Sequence, residues 1–301
     1  MSYPLIFGEI LYDQFSDGNH TLGGAPFNVA WHLKGLGLEP RILSCIGRDR
    51  LGDEIMAQVA SWQLDSSFIQ RHEDYPTGSV KISLDAGQPT FDIVEDVAYD
   101  HINAKQVMPS ILMDPPDLLY HGTLAIRQAA ARETLLTLRN KIDAPVFVDI
   151  NLRPPWWDAT TLDQILSGTT WLKLNQDELH AISHTSHSRG DELASQARAL
   201  LVRFDLSAVI VTLGDKGAFI VDNSNYYHSD PVQVSDMVDA VGAGDGFSAV
   251  VIAGLLNKWG YPLILERAVE FAAEVCRRRG AINMDNEFYS RFAPEGINAK
   301  R

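Results

Sequence analysis

Cysteine is nearly absent: two residues in 301, Cys45 and Cys276, both in apolar surroundings and without metal-ligand spacing. A disulfide framework is thereby excluded, and two buried thiols of a soluble, cytoplasmic protein are the expectation. No apolar run approaches the ~18 residues of a membrane-spanning helix. The start, Met1-Ser-Tyr-Pro-Leu-Ile-Phe-Gly-Glu9, has neither the basic nor the apolar stretch of a leader. Positive charge is also scarce, with 25 Lys and Arg against 39 Asp and Glu and a net charge of −14. Such a field argues against nucleic acid or an anionic membrane as partner, although a local anion hole can still bind a charged small molecule. The nine histidines show no metal-binding spacing, and no repeat of 20 to 50 residues is visible. What remains, 46% hydrophobic and 21% charged residues, is the composition of a globular chain with a sizeable core.

The most informative stretch lies late, at Asp239-Ala-Val-Gly242-Ala243-Gly244-Asp245-Gly-Phe-Ser-Ala249, followed by the apolar run Val250 to Leu256. A glycine-rich loop feeding a helix start brings unpaired backbone N–H groups toward an anion. Asp245 falls in the first turn beside that anion site, where it can take a proton from a hydroxyl attacking a phosphoryl group. A plain helix cap is the competing reading. The loop is no Walker A sequence, since no Gly-Lys-Ser/Thr follows, and no Gly-x-Gly-x-x-Gly follows the first strand, which disfavours a dinucleotide oxidoreductase.

Along the chain, Leu5 to Asp13 reads as a buried strand with a polar end. Gly23-Gly24-Ala25-Pro26-Phe27-Asn28 reads as a tight loop opening a helix, with Pro26 in its first turn. Strands are expected at 41–47, 117–121, 145–150, 171–175 and 208–212, with helices at 49–62, 125–140 and 191–203. An edge hairpin joins 217–222 to Tyr226. Near-continuous apolar strands alternating with helices predict an α/β fold: a mostly parallel sheet covered on both faces. From Thr77 to about Ile93 the period changes to two around an Ala86-Gly87-Gln88-Pro89 turn, which predicts a β-hairpin leaving the main sheet. Only Ala293 to Arg301 reads as an expendable tail.

Asp239 to Asp245 resembles the second signature of the ribokinase-like (PfkB) carbohydrate kinases, with Ala240 in place of the usual Thr or Ser and Val250 where a small residue is customary. Gly23 through Asn28 and Gly37 to Gly47 is similar to the first signature, in the right order. The resemblance implies one ribokinase-like kinase domain over 1–301, with a small β lid from about 12–22 and 77–100 that covers the sugar and pairs two subunits. It implies Asp245 as the base and the amides of Gly242, Ala243 and Gly244 as the anion hole. Asp13, Gly23, Gly24 and Asn28 would grip the sugar. Asp149-x-Asn151-x-Arg153 resembles a segment of fructokinase-type members, and Arg153 would add to the sugar site.

Asn175-Gln-Asp-Glu178 looks like the family's Asn-x-x-Glu motif, which orders Mg²⁺ through water, while its spacing equally fits a helix cap with a capping-box Glu. Thr212-Leu-Gly214-Asp-Lys-Gly217 resembles the turn that holds the nucleotide and must also be a hairpin turn. Lys173 would reach a phosphate or simply be solvated. Asp239, with the Val241 carbonyl, corresponds to a monovalent-cation (K⁺) site in many relatives, which Ala240 puts in doubt. The implied activity is transfer of the γ-phosphoryl of ATP to a sugar hydroxyl, with fructose ranked first, then 2-keto-3-deoxygluconate, then ribose; nucleoside kinases also remain open. The rival from another class is a non-catalytic sugar or nucleotide sensor on the same fold.

Overall fold

The computed structural model describes residues 3–16, 18–85, 88–183 and 191–293. The Ala86-Gly87 pair of the expected turn and the expected tail from residue 294 onward lie outside them. Thirteen strands are present among the described residues: β1 (Pro4–Phe7), β2 (Leu11–Phe15), β3 (His20–Gly23), β4 (Arg41–Gly47), β5 (Ile69–His72), β6 (Gly78–Asp85), β7 (Gln88–Ile93), β8 (Leu118–His121), β9 (Val146–Asp149), β10 (Trp171–Asn175), β11 (Ala208–Thr212), β12 (Ala218–Asp222) and β13 (Tyr226–Ser229). The α-helices are α1 (Ala25–Gly35), α2 (Arg50–Ser61), α3 (Met108–Met113), α4 (Ala129–Lys141), α5 (Ala159–Leu166), α6 (Gln176–Ser183), α7 (Asp191–Phe204), α8 (Ala243–Leu256), α9 (Tyr261–Cys276) and α10 (Asn286–Ser290).

Nine strands form the main sheet in the order β13-β12-β11-β10-β9-β8-β1-β4-β5, parallel except at the β11-β12-β13 edge. Its strands are apolar throughout because both faces are covered. In β1, Leu5 and Phe7 pack into the core shared with α4, α5 and α7, whereas Ile6 packs into the core shared with α1, α8 and α9. The chain moves from β1 to β4 on one side and to β8 on the other, so the order of the sheet switches beside β1. Ligand crevices open beyond the strand C-termini at such a switch.

The stretch expected to be one strand from Leu5 to Asp13 is divided: β1 belongs to the main sheet, while β2 joins a four-stranded sheet in the order β3-β2-β6-β7. Gly8 stands at the division because a Cβ there would meet Pro26 Cγ at 2.2 Å, so only glycine lets the start of α1 approach this closely. The smaller sheet is thus more than the 77–93 hairpin; β2 pairs with β6 in parallel and with β3 antiparallel. A buried ion pair ties it to the main body. Arg127 donates through Nε to Asp100 Oδ1 at 2.7 Å and through Nη2 to the Val94 carbonyl, just past β7, at 2.6 Å.

Candidate active site

α1 and α8 begin at the same end of the main sheet and lie against each other. Each starts from a glycine with positive φ, 104° at Gly24 and 79° at Gly242, and neither has a side-chain cap. A Cβ on Gly24 would press on the Glu9 carbonyl oxygen at 2.6 Å, and one on Gly242 would meet Ala281 Cβ at 2.4 Å. Both loops are therefore restricted to glycine by conformation and by space. Trp31, fully buried in α1, stacks on Trp62 at 5.1 Å and fixes that helix from its far side.

The two helices meet through Asn28 Nδ2, which donates to Asp245 Oδ2 at 2.8 Å. Asn28 is buried and its Oδ1 has no partner. Loss of solvation pushes the Asp245 carboxyl up to about 7; Asn28 lowers it, the Asp149 charge raises it, and Lys173 and Arg153 lower it. A carboxylate poised there can both hold and release a proton near neutrality.

Around this pair stand the remaining residues expected to hold sugar. Asp13 is on β2, its carboxyl raised by burial and lowered by Arg153; a Cβ on Gly23 would lie 3.5 Å from its Oδ2. Arg153 is exposed, with Nη1 donating to its neighbour's carbonyl, Leu152 O, at 3.1 Å. The sequence reading gave Glu9 no role, yet it lies here, 3% exposed, with Oε2 unpartnered. Burial pushes its carboxyl up to about 7, against backbone hydrogen bonds from its own N–H and that of Ala25 and against the Arg153 charge. An acid directly after a buried strand and Gly8 was the available signal.

On the other side of Asp245, β10 and β11 end together, with Asn175 opposite Thr212. Leu213 N–H donates to Gly217 O at 2.8 Å, and Gly214 and Gly217 take φ of 62° and 84°, so this stretch is the turn between β11 and β12. Asn175 and Glu178 form a reciprocal cap: Glu178 N–H donates to Asn175 Oδ1 at 2.9 Å and Asn175 N–H to Glu178 Oε2 at 2.8 Å. The second Glu178 oxygen accepts from Leu152 N–H at 2.8 Å. Lys173 reaches no further than Asp149, at 2.9 and 3.1 Å. Asp239 accepts from Val241 N–H at 3.0 Å and Gly280 N–H at 3.2 Å, which holds the anion loop to the segment after α9.

No group of three or more His, Cys, Asp or Glu able to cage a metal occurs among the described residues. No described helix is long and apolar enough to cross a membrane.

A half-buried acid in the first turn of a glycine-looped helix, hydrogen-bonded to an Asn at the start of a second one, is an arrangement suited to a phosphotransferase with an alcohol acceptor. Residues 7–287 match the pattern of the pfkB family carbohydrate kinases, and the chain belongs to that family. It is similar to a fructokinase of Klebsiella pneumoniae, 27% identical with 83% of each chain covered. It is also similar to a 2-dehydro-3-deoxygluconokinase of Bacillus subtilis, 25% identical over 84% of this chain and 79% of that one. Among solved structures, the fructokinase of Xylella fastidiosa with bound ATP superimposes with a TM-score of 0.83 at 20% identity, covering 96% of this chain and 97% of that one.

Proposed function

We propose that this sugar kinase uses ATP and that its acceptor is a neutral sugar, fructose first. The observation that carries the catalytic reading is the Asn28 to Asp245 hydrogen bond of 2.8 Å, which joins the sugar side of the crevice to the phosphoryl side. Asp245 removes the proton of the sugar hydroxyl as that oxygen bonds to the γ-phosphorus and the bond to the bridging oxygen breaks, releasing ADP. Amides of Gly242 and Gly244 stabilise the charge on the transferred group, and that of Ala243, which donates to the Ala240 carbonyl at 3.3 Å, joins them by exchanging that long bond for the phosphoryl oxygen. Magnesium, when bound with the nucleotide, neutralises phosphate charge. Glu178 and Asn175 orient its water shell in this reading, and Thr212, Gly214 and Gly217 shape the nucleotide's turn. Glu178→Gln is expected to raise the Mg²⁺ needed for half-maximal rate more than the sugar KM; earlier melting with unchanged Mg²⁺ dependence would leave Glu178 a cap alone.

Fructose ranks above 2-keto-3-deoxygluconate because Arg153 is not a lone cation. Its charge favours the ionised forms of the Glu9, Asp13 and Asp245 carboxyls, so an acidic substrate would share the guanidinium with acids the protein already places near it. The similarity to fructokinases points the same way, and that to the deoxygluconokinase keeps the keto acid second. The test is ADP release over a panel of free sugars, compared as kcat/KM. A tenfold preference for the keto acid, abolished by Arg153→Ala, would overturn fructose and leave the kinase.

A further inference from the structure

Directly under the anion loop lies a buried polar chain that the transfer reaction does not use. Asp149, at the end of β9, accepts from Lys173 Nζ and also from Ser248 Oγ at 2.7 Å. Asp149 and Ser248 are at most 1% exposed and Lys173 is 7% exposed. Ser248 stands three residues after Asp245, one turn further along α8 and on the same side. Lys173 Nζ lies immediately beneath Gly244, where a Cβ would approach it to 3.3 Å. The chain thus links two parallel strands of the sheet to the first turns of the helix that carries the base.

We propose that Lys173, Asp149 and Ser248 are positioning residues that clamp α8 in rotation and set the charge environment of Asp245, with Lys173 a fixed cation under the loop and not a ligand of the nucleotide. The proposal rests on Asp245 being the base. Three observations support it. Ser248 is the one hydroxyl in an otherwise apolar, buried stretch from Gly246 to Gly254, and its proton goes to Asp149. Lys173 has its ammonium spent on both Asp149 oxygens. Glu178, which would compete for it, has each oxygen taken by a backbone N–H.

The groups facing Asp245 are Asn28 from α1, Glu9 after β1, Tyr120 from β8, Asp149 from β9, Arg153 after β9 and Lys173 from β10. Within that set Lys173 and Asp149 act in opposite senses on the Asp245 carboxyl: the ammonium favours its charged form and the carboxylate disfavours it.

The experiment is the pH profile of kcat at saturating ATP and fructose for Lys173→Met, Asp149→Asn and Ser248→Ala, each checked for folding. The base must be ionised, so activity falls on the acid side. Lys173→Met is expected to move that acidic limb to higher pH and Asp149→Asn to lower pH, each by roughly 0.5 to 1 unit. Ser248→Ala is expected to lower kcat several-fold, with both KM values within about twofold. Limbs that stay put or move together overturn the proposal. So does a tenfold rise in the KM for ATP on Lys173→Met with an unmoved limb, which would make Lys173 a nucleotide ligand. If Lys173→Met does not fold, Asp149→Asn decides by its sign. Asp245→Asn is measured alongside: near wild-type activity there removes the base and this proposal together, whereas an inactive Asp245→Asn with unmoved limbs removes the proposal alone.

Discussion

The N-termini of α1 and α8 are built alike and used differently. Both start from a positive-φ glycine without a side-chain cap, so each presents the positive end of a helix dipole, although at α8 the Ala243 N–H already donates to the Ala240 carbonyl at 3.3 Å. At α1 that end is already answered, since Ala25 N–H meets the Glu9 carboxyl, buried at 3% exposure. At α8 no side chain among the described residues caps the helix start. Gly244 is exposed, and the nearest charge beneath it is the ammonium of Lys173. A filled helix end suits a neutral polyol that needs hydrogen-bond partners and no counter-charge; an open one with a cation below suits a phosphoryl group. Asp245 sits between the two and belongs chemically to both.

The largest effect that would break this contrast is at Asp245 itself. Asp245→Asn keeps an oxygen to accept from Asn28 but removes the proton acceptor, so kcat is expected to fall by about 10² or more while ATP binding persists. Titration calorimetry with ATP, beside the coupled assay, separates the two. Activity within a few-fold of wild type would show that α8 supplies only an anion hole and that Asp245 is not the base.

The α8 end was legible from its residues because glycines, acid and apolar run are contiguous, and each has a local physical meaning. The α/β sheet was legible for the same reason: strands such as Ala208–Thr212 are apolar on both faces. What escaped is what depends on distance in the chain. Glu9 and Ala25 meet only because Gly8 lets Pro26 approach, and the split of Leu5 to Asp13 between two sheets has no mark in its apolar pattern. Asp149 had been grouped with the sugar segment by its spacing to Arg153, whereas β9 turns it inward toward Lys173 and Ser248. Spacing along a strand end does not tell which side chain faces the crevice and which the core. The Asn175 and Glu178 pair was readable as a cap from sequence, and the reciprocal hydrogen bonds are there.

A smaller effect sharpens the comparison by treating both helix ends as acids held against their preference. The Glu9 and Asp245 carboxyls are each pushed up to about 7 by burial. A carboxyl whose folded pKa lies above its unfolded value of roughly 4 binds its proton more tightly in the native state. Its contribution therefore favours the fold at low pH and is lost as pH rises from about 4 through 7, remaining flat above. Glu9→Gln and Asp245→Asn remove that loss, so each variant should gain melting temperature relative to wild type as pH rises. The gain is expected to be small near pH 4 and to level off above pH 7 at roughly 2 to 4 °C per kcal/mol recovered. Melting curves at pH 4.5, 6 and 8 read this directly. Because Asp245 is raised to about 7 from 3.8 and Glu9 to about 7 from 4.5, the Asp245 variant should show the larger rise. A difference that does not change with pH would mean that Glu9 is ionised at the α1 end throughout, and the two helix termini would then differ in charge as well as in occupancy.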